Sequence, residues 1–236
     1  MVRIHNYLWN RVILCAFVLF LSNVVYYFYC KYRKKVIIKS KDYSISIEYG
    51  DILNDNNGKT VINFDECYTT EVGERPENIK KNSVCGQYLT KHPIDDNGIK
   101  ELLKSYNINS VSASLFKNKE SFPSGTLIPR EKFLLMAFAK LDENGSGKLT
   151  YDQYLDCLDR LWEQIDKYHG TDDVYIPILG SRITRFDRSL TQQELLDIMI
   201  SSYRLSTKKL RYPNMLHIVC LKREGFDLNN IFGIKI

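Results

Sequence analysis

The residues best placed to do chemistry lie between Asp172 and Phe186. Val174, Tyr175, Ile176, Pro177, Ile178 and Leu179 make an apolar run of strand length, and Gly180, Ser181, Arg182, Ile183, Thr184, Arg185 and Phe186 follow it as a loop. Thr191 and Glu194 then have the spacing of a capping box that opens a helix. A buried strand, a small-residue loop and a capped helix make a place for an anion. Ligands of open α/β sheets sit at the carboxyl ends of strands, and free backbone N–H groups, helped by Arg182 and Arg185, suit phosphate oxygens. An ordinary strand-to-helix connection explains the same residues equally well, so this stretch alone does not decide.

Other candidate chemistry is thinner. Asp142, Asn144, Ser146, Gly147, Lys148, Thr150 and Gln153 fall on calcium-loop spacing, with Leu149 at the usual apolar position. The last of them should be a bidentate Glu and is a neutral Gln, only Asp142 is a carboxylate at a usual side-chain position, and no second such loop exists. A turn at Gly145 and Gly147 followed by a Thr150–Gln153 cap accounts for the same residues, and no metal is expected. The four His have no metal spacing, and His217, inside a strand, reads as packed rather than catalytic. Nucleophile-elbow, phosphate-loop and dinucleotide glycine motifs are absent from the sequence. Asp51, after the first alternating strand, is either a turn former or an acceptor for a base.

The net charge of +5 is unevenly placed. Arg3 and Arg11 precede an apolar run, and Lys31, Arg33, Lys34, Lys35, Lys39 and Lys41 follow it; without these eight cations the remainder is near −3. That excludes a basic nucleic-acid-binding domain by composition. Val12 to Tyr29 is apolar except for Ser22 and Asn23, about 18 residues or roughly 27 Å of helix, enough to cross a bilayer core. Trp9 at one end and Tyr26, Tyr27 and Tyr29 at the other suit the two interfaces. A cleaved signal peptide would end in small residues, whereas this run ends in aromatics and charge. The basic cluster orients the span with the globular part in the cytoplasm. Six Cys at positions 15, 30, 67, 85, 157 and 220, none in a Cys-x-x-Cys pair, agree with a reducing compartment. The chain thus divides into a single-pass transmembrane anchor (1–30), a basic juxtamembrane linker (31–42) and a globular domain (43–236).

Along the globular part, Tyr43 to Gly50 alternates as a strand and Lys59 to Phe64 is a second. Asp65 to Lys81 is a polar stretch long enough for a functional loop. Helices are expected at 82–90 and 95–106, a loop at 107–124 and a short strand at 125–129. Lys132 to Leu141 fits strand or helix by periodicity. Tyr151 to Tyr168 reads as a helix with Tyr154, Leu155, Leu158, Leu161, Trp162 and Ile165 on one face. A helix over 192–203 and a strand over 215–221 complete an α/β sandwich.

In this order the residues resemble a macro domain, the ADP-ribose-binding fold. Ile45 to Asn54, with Gly50-Asp51-Ile52, is similar to its opening strand. Thr60 to Phe64 resembles its second strand, Tyr175 to Phe186 its diphosphate strand and loop, and Met215 to Leu221 its last strand. Asn82 to Gln87 and Leu179-Gly180-Ser181 bring the likeness closer to the divergent macro domain of Thoeris antiphage effectors. The resemblance covers roughly residues 43 to 236. It implies a three-layer α/β sandwich with a mixed central sheet. It implies that Asp51 accepts from the adenine amino group with Ile52 backbone nearby. Asn63 and the loop of Ser83, Val84, Cys85 and Gly86 would face the distal ribose. Gly180, Ser181, Arg182, Ile183 and Thr184, next to Leu179, would cradle the diphosphate, and Phe186 would pack by the distal ribose.

It further implies a membrane-disrupting effector that senses an ADP-ribose derivative made by a TIR-domain enzyme and forms a homo-oligomer on activation. No other cofactor and no nucleic-acid partner are implied. There are departures from hydrolytic members: Asn63 is followed by Phe64-Asp65-Glu66, the triple-glycine loop is missing, and Arg182 replaces a small residue. These departures weigh against the rival reading, a membrane-tethered ADP-ribosyl hydrolase or deacylase, and leave the catalytic residues as none. The effectors typically carry two membrane segments, and one is found here.

Overall fold

The computed structural model describes residues 3–54, 56–75, 77–181, 185–187 and 189–231. Its first helix, α1 (Arg3–Tyr32), contains a span of 24 residues, Trp9–Tyr32, that is apolar and not buried against the rest of the chain. At 1.5 Å per residue that is about 36 Å, longer than a bilayer core. Then follow β1 (Lys35–Lys39), β2 (Ser44–Tyr49), β3 (Gly58–Asp65), α2 (Val84–Lys91) and α3 (Asp96–Ser105). A small hairpin, β4 (Ser112–Ala113) and β5 (Glu120–Ser121), leads to β6 (Leu127–Arg130), β7 (Phe133–Leu141) and β8 (Gly147–Leu149). The chain ends with α4 (Tyr151–Tyr168), β9 (Asp173–Pro177), β10 (Arg185–Phe186), α5 (Gln192–Leu205) and β11 (Leu216–Cys220).

The large sheet runs β1-β2-β11-β9-β3-β7-β8-β10, with β6 also paired to β7. Its middle five strands, β2, β11, β9, β3 and β7, are parallel neighbours, and β1, β6 and β8 add antiparallel pairs. This is the mixed sheet of a macrodomain-like sandwich, with helices on both faces. One core lies between the sheet and the pair α4 and α5, around Leu158, Trp162, Met199 and Tyr203. The other lies under α2 and α3, around Ile62, Phe64, Tyr88 and Leu103. Because both faces are covered, β7 is buried at every position but Lys140. A strand buried on both sides reads as a continuous apolar run, which is why periodicity left 132–141 open between strand and helix.

Local signals fix several ends. Both expected capping boxes form: Thr150 accepts from Gln153 N at 3.2 Å, and Thr191 from Glu194 N at 3.2 Å. On α4 the buried stripe includes Cys157, and Leu155 is 37% exposed rather than buried. Two expectations are corrected. The stretch 31–42 is not wholly linker, because Lys35–Lys39 pairs antiparallel with Ser44–Glu48 and turns Val36 into the core. The loop expected at 107–124 contains the β4–β5 hairpin. Glu66, 5% exposed, ties that hairpin to the sheet: it accepts from Ser114 Oγ at 2.5 Å, Ser121 Oγ at 3.1 Å and Leu141 N at 3.0 Å. Three donors around one buried carboxylate are what its burial requires.

Candidate functional site

The five parallel strands point their carboxyl ends the same way, and a cleft of about 430 Å³ opens there. Each strand contributes to the lining: Gly50 and Asp51 after β2, Asn63 to Asp65 on β3, Phe138, Ala139 and Leu141 on β7, Pro177 and Ile178 at the end of β9, Val219 and Leu221 by β11. This is the place where an open α/β sheet offers free backbone groups and room.

Asp51 lines the cleft and is exposed. Its Oδ1 accepts from Leu53 N at 3.0 Å, so it is a turn former, while Oδ2 has no partner among the described residues. The two roles open in the sequence are therefore compatible. Ile52 lines the cleft and is 4% exposed. Asn63 and the first turn of α2, through Ser83, Val84 and Cys85, form part of the same wall. Ser83 is the helix cap, donating to Lys80 O at 2.7 Å and accepting from Gly86 N at 3.0 Å. Burial pushes the Cys85 thiol well above its ordinary pKa, so it packs as a neutral thiol. Gly86 does not line the cleft; a Cβ there would lie 2.2 Å from the Lys80 carbonyl oxygen, so glycine lets the loop cross the helix.

On the opposite side, Gly180 and Ser181 line the cleft, with Arg185 and Gln192 nearby. Gly180 sits at φ +79°, and a Cβ on it would meet the Phe186 ring at 2.5 Å. Phe186 is not in the lining. Its ring backs Gly180 and meets Tyr154 edge to face at 5.3 Å. Leu179 is fully buried behind the loop, its carbonyl accepting from Tyr154 OH at 3.3 Å. Arg182, Ile183 and Thr184 lie outside the described residues.

Sequence reasoning missed several lining residues. Asp65 follows Asn63 on β3 and is held by Cys67 N at 2.8 Å, Thr69 N at 3.2 Å and the Thr69 hydroxyl. Burial raises its carboxyl pKa against those hydrogen bonds. Glu77 to Lys80, within the long polar stretch flagged as a functional loop, form a wall. Gly145 to Gly147, the turn weighed for calcium, meet that wall: Gly145, at φ +76°, lets Glu77 approach so closely that a Cβ would stand 2.9 Å from it. Asp142 there accepts from Ser146 N at 2.9 Å and pairs with Lys148 at 2.8 Å, which holds the turn. His217 lies off the cleft, 6% exposed between Glu48 at 2.9 Å and Asp173 at 3.3 Å and stacked on Tyr175, a packed role.

The sheet order and the position of the cleft define a macro domain. Among solved structures, the Oceanobacillus iheyensis macrodomain with ADP matches at a TM-score of 0.53, 11% identity, 80% of this chain and 89% of that one. A variant of the same macrodomain with ADPR matches at a TM-score of 0.52, 12% identity, 80% of this chain and 91% of that one. Residues 45–221 match the family model of the macro domain of Thoeris protein ThsA, and the chain belongs to that family. A curated relative, Thoeris protein ThsA of Bacillus amyloliquefaciens (strain Y2), is 28% identical over 194 residues, which cover 78% of this chain and 65% of the relative. The chain thus spans just under two thirds of that relative's length.

Proposed function

We propose that this protein is a membrane-anchored Thoeris effector whose macro domain holds an ADP-ribose derivative made by a TIR-domain enzyme, and answers by assembling and damaging the membrane. The observation that carries the reading is the cleft itself. Its lining includes an acceptor, Asp51, and a small-residue loop with a cation, Gly180, Ser181 and Arg185. That set of groups fits a ligand with a hydrogen-bond-donating base and phosphates. Titrating the full chain in detergent micelles with ADP-ribose should give a saturable heat at one site, and an absence of heat overturns the reading. Turnover of the nucleotide at a useful rate would replace the sensor with the hydrolase.

The anchor supports a cytoplasmic domain by its charges: Lys31, Arg33 and Lys34 at the domain end outnumber Arg3 and Arg11. Protease added to intact cells should leave the domain uncut, and digestion would reverse the orientation. Assembly has a chemical basis inside the span. Asn23 Nδ2 donates to Leu19 O at 2.7 Å, and its Oδ1 and second N–H have no partner among the described residues, which a bilayer core would leave unmet. A second copy's Asn23 supplies both, because the amide is self-complementary, at about 1–2 kcal/mol per contact. Ala16 lies on the same helix face, seven residues earlier. With Cys15 and Cys30 replaced by Ser, Ala16→Cys should therefore cross-link in membranes, and Asn23→Leu added to it should cut the yield about fivefold or more. Equal yields would remove this face from the assembly.

A further inference from the structure

We propose that the segment from Leu221 to Ile231 is a strap that couples the ligand loop to the base of the membrane helix, with Arg223 and Asn229 as its two positioning residues. The inference rests on the nucleotide reading for its trigger, though not for its geometry.

Leaving β11, the chain passes the cleft, which Val219 and Leu221 line. Arg223 then reaches back and donates from Nη1 to the carbonyl of Ser181 at 2.7 Å. After a turn at Gly225, Phe226 packs against Tyr49 edge to face at 5.9 Å. Asp227 caps a short 3-10 turn over Leu228–Asn230, and Leu228 and Ile231 sink into the main core. Asn229, held by that turn, points its amide at the end of α1. It donates from Nδ2 to the Cys30 carbonyl at 3.1 Å and accepts from Arg33 Nη1 at 3.5 Å. Cys30 is in the last turn of α1, and its carbonyl accepts from Arg33 N at 3.4 Å as well as from Asn229. Asn229 therefore adds a second, side-chain donor to the end of the membrane helix.

Two further bonds fix the strap to the first turn of α5, the helix that follows the ligand loop. Gln192 Nε2 donates to Leu221 O at 3.1 Å, and Gln193 Nε2 to Asn230 O at 3.4 Å. The loop, the strap and the helix end are thus joined by side-chain bonds at defined points.

The chemistry makes the Arg223 end sensitive to an anion. Its present acceptor is a neutral carbonyl, on a residue that itself lines the cleft. A phosphate beside Gly180 and Ser181 is a stronger acceptor for a guanidinium, because the bond is then charge-assisted on both sides. Ligand binding draws Arg223 from Ser181 and shifts the strap, and the shift reaches Arg33 and Cys30 through Asn229. This gives the ligand the differential affinity for two arrangements that any such switch needs.

Coupling is reciprocal, so each end must feel the other. Amide hydrogen exchange of the full chain in lipid nanodiscs tests this without any ligand. Asn229→Ala should speed exchange across residues 176–181 at least threefold, and Arg223→Gln should do the same across residues 30–34. Exchange in α4 serves as the folding control. If it also rises, Asn229→Ser and Arg223→Lys are read in the same way. Effects confined to each variant's own end overturn the strap. In a second arm, ADP-ribose should slow or speed exchange across residues 30–34 at least threefold in the parent protein. Asn229→Ala should lose that change while keeping protection at the cleft. A parent protein with no cleft protection sinks the nucleotide reading, and the ligand-free arm still decides the strap.

Discussion

Gly180→Asp is expected to weaken ligand binding sharply while the domain stays folded. Gly180 holds φ +79°, where a Cβ costs strain, and its α-carbon is covered by the Phe186 ring. Any side chain there must push that ring or twist the loop, at about 1–2 kcal/mol for the backbone alone. A side chain at Gly180 starts toward the Phe186 ring, behind the loop, so aspartate places its charge beside the proposed phosphate site rather than in it. A carboxylate about 8 Å from a phosphate costs about 2 kcal/mol at an effective dielectric of 20, roughly thirtyfold in affinity on top of the loop strain. Gly180→Ala separates the two effects, since it carries the strain and not the charge, and should lose affinity far less. Calorimetry with ADP-ribose reads both variants, and thermal melting confirms the fold. In cells with an active TIR partner, the parent should depolarise the membrane and Gly180→Asp should not. An aspartate variant that binds like the parent removes the diphosphate from this loop.

Asp51→Ala should weaken ADP-ribose binding by about 1.5–3 kcal/mol, the range for a hydrogen bond to a charged group. That is roughly ten- to 150-fold. Asp51 also holds its own turn through Leu53 N, so alanine removes a structural bond as well. Asp51→Asn distinguishes them, because its single amide oxygen can keep the Leu53 N bond while its NH2 group, a donor, then faces the adenine amino group. It should keep the turn and still lose affinity about as much as Asp51→Ala. A second control changes the ligand instead: the analogue with unsubstituted purine in place of adenine has hydrogen where the amino group was, so parent and Asp51→Ala should bind it alike. A persistent difference with that analogue would show that the alanine acts through the turn and not through the base.

How much of this was legible follows from the range of the interactions involved. The amphipathic run 151–168, the two capping boxes and the apolar run of α1 are written in neighbouring residues, and the structure has them where the sequence places them. The resemblance likewise read the opening strand at Ile45 and the loop at Gly180. Lys132 to Leu141 was ambiguous because a strand buried on both faces shows no period, and only its pairing with β3 makes it a strand. Lys35–Lys39 looked like a charged linker because it lies within the six cations from Lys31 to Lys41, yet its pairing with β2 buries Val36. The resemblance implied that Phe186 packs by the distal ribose; that its ring lies against Gly180 is visible only in the packing.

By itself the sequence determined the membrane-length helix, the α/β class and the small-residue loop after β9, while the macro-domain order of elements came from the resemblance. The first three depend on local propensity, on period or on a few adjacent side chains. The tertiary structure alone decided what surrounds the cleft and what the cleft is tied to. The wall at Glu77 to Lys80 meets the Gly145 turn only because the sheet brings their strands together. Arg223 finds Ser181 across 42 residues, and Asn229 finds Cys30 across 199. No spacing rule reaches that far, because such contacts form only after the sheet order has folded distant strands side by side.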